Sequence, residues 1–170
     1  FALSFMQENM GNFTINLNRL ELFRRGVAIA DNGDFNNATA RLAADALDNG
    51  TNIAAEDLPD NLDDIDGSHN GKNYVAYTFY IRNAGKTDLG YSAKLKVVSA
   101  SKGVEKAARV RVYRNGEPTT YAAAAANGNP EPNTEPFASK DVVTTISHKN
   151  FRVGDVDKYT VVIWMDGDDP

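Results

Sequence analysis

The chain has 170 residues, 42% of them apolar and 24% charged, enough for one domain around a single core. Its net charge of −5 at pH 7 sets a field that repels nucleic-acid phosphates and anionic lipid, so nucleic acid is not an expected partner. With no cysteine it has neither disulfides nor thiolate chemistry, and no apolar run approaches the roughly 20 residues that span a bilayer, so no membrane insertion is expected.

The chain begins at Phe1 rather than Met, which fits removal of a signal peptide or a chosen boundary. Phe1, Leu3 and Phe5 alternate with Ala2, Ser4 and Met6, giving a segment apolar at nearly every position. Such a segment should be covered, either by its own domain or by entering the sheet of the next subunit as a donor strand, so residues 1–10 are a candidate donor strand, the alternative being a disordered remnant of signal cleavage. Phe13, Ile15 and Leu17 alternate with polar residues as in a strand with one buried face. Leu20–Phe23 and Val27–Ala30 continue it beyond a break near Arg24, Arg25 and Gly26.

Residues 31–71 are rich in Asn, Asp, Gly and Ala with widely spaced apolar positions, and read as a long, decorated surface insertion. A short helix is predicted from Thr39 to Leu47, with Leu42 and Leu47 inward. From Asn73 the pattern sharpens. Val75, Tyr77, Phe79 and Ile81 share one face of a central strand. Leu89–Ser99 follows, with Lys94 and Lys96 on its solvent face.

Arg109 to Tyr113 alternates and runs into Asn115-Gly116, the pair that supplies two positive φ angles for a type I′ hairpin. Residues 126–136 hold three of the six prolines and form a loop. Two further strands are predicted at Val142–Ser147 and Tyr159–Met165, the second apolar on both faces. Val75, Tyr77, Phe79, Ile81, Val161, Ile163 and Trp164 are expected in one core. Seven to nine strands without βαβ alternation indicate a single all-β sandwich over residues 1–170.

Chemistry is scarce. His69 and His148 show no metalloprotease spacing and no partner set, and Ser147 beside His148 on a strand points to the opposite face, so no catalytic residues are assigned. Asp63, Asp64 and Asp66 in an acidic stretch are weak calcium candidates. The EF-hand pattern fails there, with Leu62 at its first position and Asn73 at its twelfth. A solvated acidic loop is the favoured reading, and no other cofactor is expected. Arg109, Arg111 and Arg114 read as the solvent face of an amphipathic strand.

Residues 154–170, from Gly154 through Tyr159 and Trp164 to Asp168-Asp169-Pro170, resemble the strand and acidic exit of the TasA/camelysin-like proteins of Gram-positive bacteria. Residues 66–85 resemble their central strand and turn, and Asn12-Phe13-Thr14-Ile15 their early strand. The resemblance implies a jelly-roll sandwich, export to the cell surface and, for some members, assembly into biofilm-matrix fibres. Some members have been described as metalloproteases, but this chain lacks a recognisable zinc-ligand set and that activity is not carried over. Relatives usually continue past the Asp-Asp-Pro motif into another strand, whereas this chain stops at Pro170.

The expected function is therefore a secreted structural subunit of an extracellular filament or biofilm matrix. Its partners would be copies of itself, joined head to tail through Phe1, Leu3 and Phe5. The alternative is a monomeric cell-surface module binding carbohydrate or a host protein through the 31–71 insertion and the proline-rich loop.

Overall fold

The computed structural model describes residues 2–7, 11–17, 26–35, 47, 51–100 and 104–167. Phe1, the segment Leu20–Arg25, Leu42 and most of the helix predicted from Thr39 lie outside the described residues. In chain order the strands are β1 (Ala2–Gln7), β2 (Gly11–Leu17), β3 (Val27–Ala30), β4 (Gly67–Ser68), β5 (Val75–Asn83) and β6 (Leu89–Ala100). After one helical turn, α1 (Val104–Ala107), come β7 (Ala108–Arg114), β8 (Glu117–Ala122), β9 (Glu135–Pro136), β10 (Val142–Phe151) and β11 (Val156–Met165).

These strands form an all-β sandwich of two sheets. The first runs β1-β2-β6-β10, and the second β3-β5-β11-β7-β8-β9, with β4 also on β5. Every pairing between named strands is antiparallel except β8 with β9. β11 lies inside the second sheet, paired from Val156↔Arg82 to Ile163↔Val75 on one side and from Tyr159↔Arg114 to Met165↔Ala108 on the other. The β7–β8 hairpin turns at Asn115 and Gly116, with φ of 50° and 90°, as the Asn-Gly pair requires.

Alternation explains the core. Val75, Tyr77, Phe79 and Ile81 of β5, Val110 and Val112 of β7, and Tyr159, Val161 and Ile163 of β11 point between the sheets. Ile15 of β2, Tyr91 and Leu95 of β6, and Val143 and Phe151 of β10 meet them from the first sheet. The Phe79 and Tyr159 rings stack at a centroid distance of 5.5 Å. Lys94 and Lys96 face solvent on the other side of β6, as predicted. Leu47 is half-buried and packs against this core.

Trp164 corrects the expectation of one shared core. Being one residue out of step with Val161 and Ile163, it belongs to the opposite face of β11. There it packs with Ala76, Val162, Leu58 and Leu62 in a second cluster. The cover for this outer face comes from residues 53–65, whose 3₁₀ turns at Ala55–Asp57 and Leu62–Asp64 bring Leu58 and Leu62 down onto the sheet. This part of the 31–71 stretch is a packed layer, which explains why its apolar residues are sparse but well placed. A parallel bridge between Ile53 and Asp166 pins the layer to the end of β11.

Candidate functional site

The N-terminal segment folds onto its own domain. β1 pairs with β2 in unbroken register, from Ala2↔Asn16 through Leu3↔Ile15 and Phe5↔Phe13 to Gln7↔Gly11. Leu3 is fully buried in the core between the sheets. β1 ends the first sheet, so among the described residues no strand pairs with its other edge. Of the three residues singled out for assembly, Leu3 and Phe5 lie on this strand and Phe1 lies outside the described residues.

The three acidic candidates are not brought together on one point. Asp63 Oδ1 accepts a 2.7 Å hydrogen bond from Thr160 Oγ1 and lies 3.8 Å from Lys158 Nζ, which also donates to the Asp63 carbonyl. Asp66 Oδ1 accepts from the Tyr80 hydroxyl at 2.6 Å, and Asp64 is exposed. Burial, first, and the bond to Asp66 push the Tyr80 phenol well above its usual range. Because the Thr160 hydroxyl gives its proton to Asp63, the Thr78 hydroxyl 2.7 Å away must donate to Thr160. Among the described residues no three His, Asp or Glu side chains are grouped to hold a metal ion.

His148 has a partner that the sequence reading missed. Its Nδ1 donates to Asp157 Oδ2 at 2.8 Å, and Asp157 is buried at 2% exposure. The same oxygen accepts from the Tyr91 hydroxyl at 2.5 Å, and Oδ1 accepts from Asn115 Nδ2 at 3.1 Å. With the Tyr91 proton committed, the Tyr159 hydroxyl 2.6 Å away donates to the Tyr91 oxygen. Burial alone pushes the Asp157 carboxyl up, but the hydrogen bonds from Tyr91, His148 and Asn115 outweigh it and hold it below its ordinary value. Burial pushes the Tyr159 phenol up to about 12.

This network crosses the sandwich from β11 to β6 and β10. Arg114 adds a second crossing by donating to the Ser147 carbonyl at 2.5 Å. His148 Nε2 has no hydrogen-bond partner among the described residues, and no described nucleophile stands on it. His69 is occupied otherwise, its two ring nitrogens lying 2.9 and 2.8 Å from the carbonyls of Gly67 and Leu62. A sequence signal for Asp157 did exist. Counting back by twos from Ile163 through Val161 and Tyr159 puts Asp157 on the inward face, where a carboxylate must have partners.

Arg109 and Arg111 are not a plain solvent face either. Arg109 is 5% exposed, lies 3.5 Å from Asp166 and donates to the carbonyls of Lys106 and Ala108. Arg111 lies over the Trp164 ring at 5.1 Å and donates from Nε to Thr120 Oγ1 at 2.9 Å. Beside them opens a cavity of about 650 Å³, bounded by Trp164, Arg109, Arg111 and the loop from Ala124 to Thr134. A second cavity of about 520 Å³ continues it past Arg111 toward Pro118 and Glu135. The Trp164 Nε1, buried beneath, has no hydrogen-bond partner among the described residues. Comparison of the chain with protein-family models, curated proteins and solved structures finds no match.

Proposed function

We propose that the chain is a secreted, non-enzymatic structural subunit of an extracellular filament or biofilm matrix, of the TasA/camelysin type with jelly-roll connectivity. Subunits join head to tail by exchange of the N-terminal strand, with Phe1, Leu3 and Phe5 as the assembly residues. The observation that carries this reading is the position of β1. It is an edge strand held by one neighbour, β2, through six residue pairs and by the buried Leu3. A β1 from another copy would make the same pairs with β2 and fill the same core position, so exchange loses no pairing and gains an intermolecular link. Non-reciprocal exchange does not close on itself and therefore propagates as a fibre.

The remaining features support a structural role. The His148–Asp157 pair is used to tie the two sheets, with no described nucleophile at Nε2. Net charge disfavours nucleic acid, and no described helix is long and apolar enough to cross a membrane.

The absence of native cysteine allows a direct test. Phe5 and Phe13 are directly opposed, at a spacing that suits a disulfide. Phe5→Cys and Phe13→Cys are placed on separate chains, mixed, assembled and oxidised. Strand exchange predicts an intermolecular disulfide that joins one chain of each variant as a covalent dimer within filaments seen by negative-stain electron microscopy. Filaments that form without that crosslink, or that persist unchanged when residues 1–6 are deleted, would refute the exchange.

A further inference from the structure

We propose that the groove on the outer face of the second sheet binds an acidic polysaccharide, with the Arg111 guanidinium receiving a sugar carboxylate. The groove has two lobes, of about 650 and 520 Å³, and both are bounded by Arg111, Thr120, Asn133 and Thr134. Arg111 therefore stands at the waist of a continuous trough. A trough suits a chain of rings laid along it better than a single small molecule.

The guanidinium is held from two sides. Thr120 takes its Nε–H and the Trp164 ring lies beneath it, while its two terminal nitrogens have no partner among the described residues. A guanidinium fixed in this way presents a planar fork whose geometry matches a carboxylate, and less of its freedom remains to be lost on binding. The neighbouring cation, Arg109, is already paired with Asp166 and is not available in the same sense.

The other groups set the class of ligand. Lys106, Glu56 and Glu131 border the larger lobe, and none has an ion-pair partner among the described residues. With Glu135 beside the smaller lobe, three carboxylates and one lysine surround the fork, an arrangement that repels a ligand charged at every unit, such as a nucleic acid, a polyphosphate or a polyuronate, and suits neutral sugars that carry a single carboxylate to Arg111. A sugar hydroxyl both donates and accepts, so it can bond to Glu and Lys alike. The small side chains of Ala124, Ala125 and Pro132 leave an apolar wall against which a ring face can lie. An acidic peptide would supply carboxylates too and meets the 118–120 edge of β8, unpaired among the described residues, at the smaller lobe, but the larger lobe lies over the face of β7 and β11 and offers an extended chain no sheet edge.

Isothermal titration of the purified chain with xylotriose bearing one glucuronate, its methyl ester and a glycine-rich peptide with one glutamate, at physiological salt and millimolar ligand, tests the assignment. The glucuronate-bearing xylotriose is expected to bind, and both the ester and Arg111→Ala to weaken binding by about 10-fold to 100-fold. Arg111→Lys, which keeps the charge and loses the fork, should fall between wild type and Arg111→Ala. Thermal melts check that each variant is folded, and if Arg111→Ala is not, Arg111→Lys and the ester decide the matter. No binding of the glucuronate-bearing xylotriose, equal binding of acid and ester, indifference to Arg111, or the glutamate peptide bound as tightly would each overturn the proposal.

Discussion

The two faces of the second sheet are built by the same strands and solve different problems. The inward face carries Tyr77, Phe79, Val110, Val161 and Ile163 against the other sheet, where large apolar side chains interdigitate. The outward face carries Thr78, Thr160, Arg109, Arg111 and Trp164, and is covered by residues 53–65 on one side and bounded by the groove on the other. Polar groups under that thinner cover need named partners, and Thr78, Thr160 and Asp63 form a chain in which each hydroxyl donates onward. A strand's periodicity thus identifies two faces, while the nature of each face depends on what the rest of the chain lays over it.

The comparison can be broken most severely from the inside. Phe79→Ala removes a fully buried ring stacked on Tyr159, and is expected to cost about 3–5 kcal/mol in urea unfolding. A loss under about 1 kcal/mol would mean that Phe79 is not a core residue. Asp157→Asn keeps the shape but replaces a charged acceptor in the network between the sheets, with an expected cost of about 1.5–3 kcal/mol.

The same group gives a pH signature. Since the folded carboxyl titrates below its unfolded value, its contribution is complete above about pH 4 and is lost as the pH falls through the folded value. Melting temperature should therefore drop on acidification below that point in the wild type and drop less steeply in Asp157→Asn. Equal slopes would show that the carboxylate is not stabilised by its partners.

The outer face should yield the smallest effect. Trp164→Phe removes an indole N–H that has no partner among the described residues while keeping an aromatic ring in the cluster, so the lost volume and the relieved polar burial oppose each other. A change within about 1 kcal/mol is expected. A loss well above this would show that the Trp164 N–H is satisfied in solution.

What could be read from the sequence follows the same division. β5, β6, the Asn115-Gly116 hairpin and β11 were legible because each depends on local alternation or local φ preference. The cover over Trp164 was not, because Leu58 and Leu62 reach the sheet from a segment about a hundred residues earlier, and no local period marks that contact. His148 and Asp157 lie nine residues apart on adjacent strands of different sheets, so their meeting depends on how the sheets stack. The groove needs the β7–β8 face and the 124–134 loop together, and the arginines alone read as solvent-facing.

The placement of β1 and β11 also decides how the domain responds to pulling. Tension applied between Ala2 and Gly167 enters one sheet at an edge strand with a single neighbour and leaves the other through a strand clamped on both sides. β1 is held by six residue pairs, whereas β11 has eight with β5 and seven with β7. Rupture should therefore begin by peeling β1 from β2, leaving the second sheet and its groove intact at forces that have already freed the N-terminus.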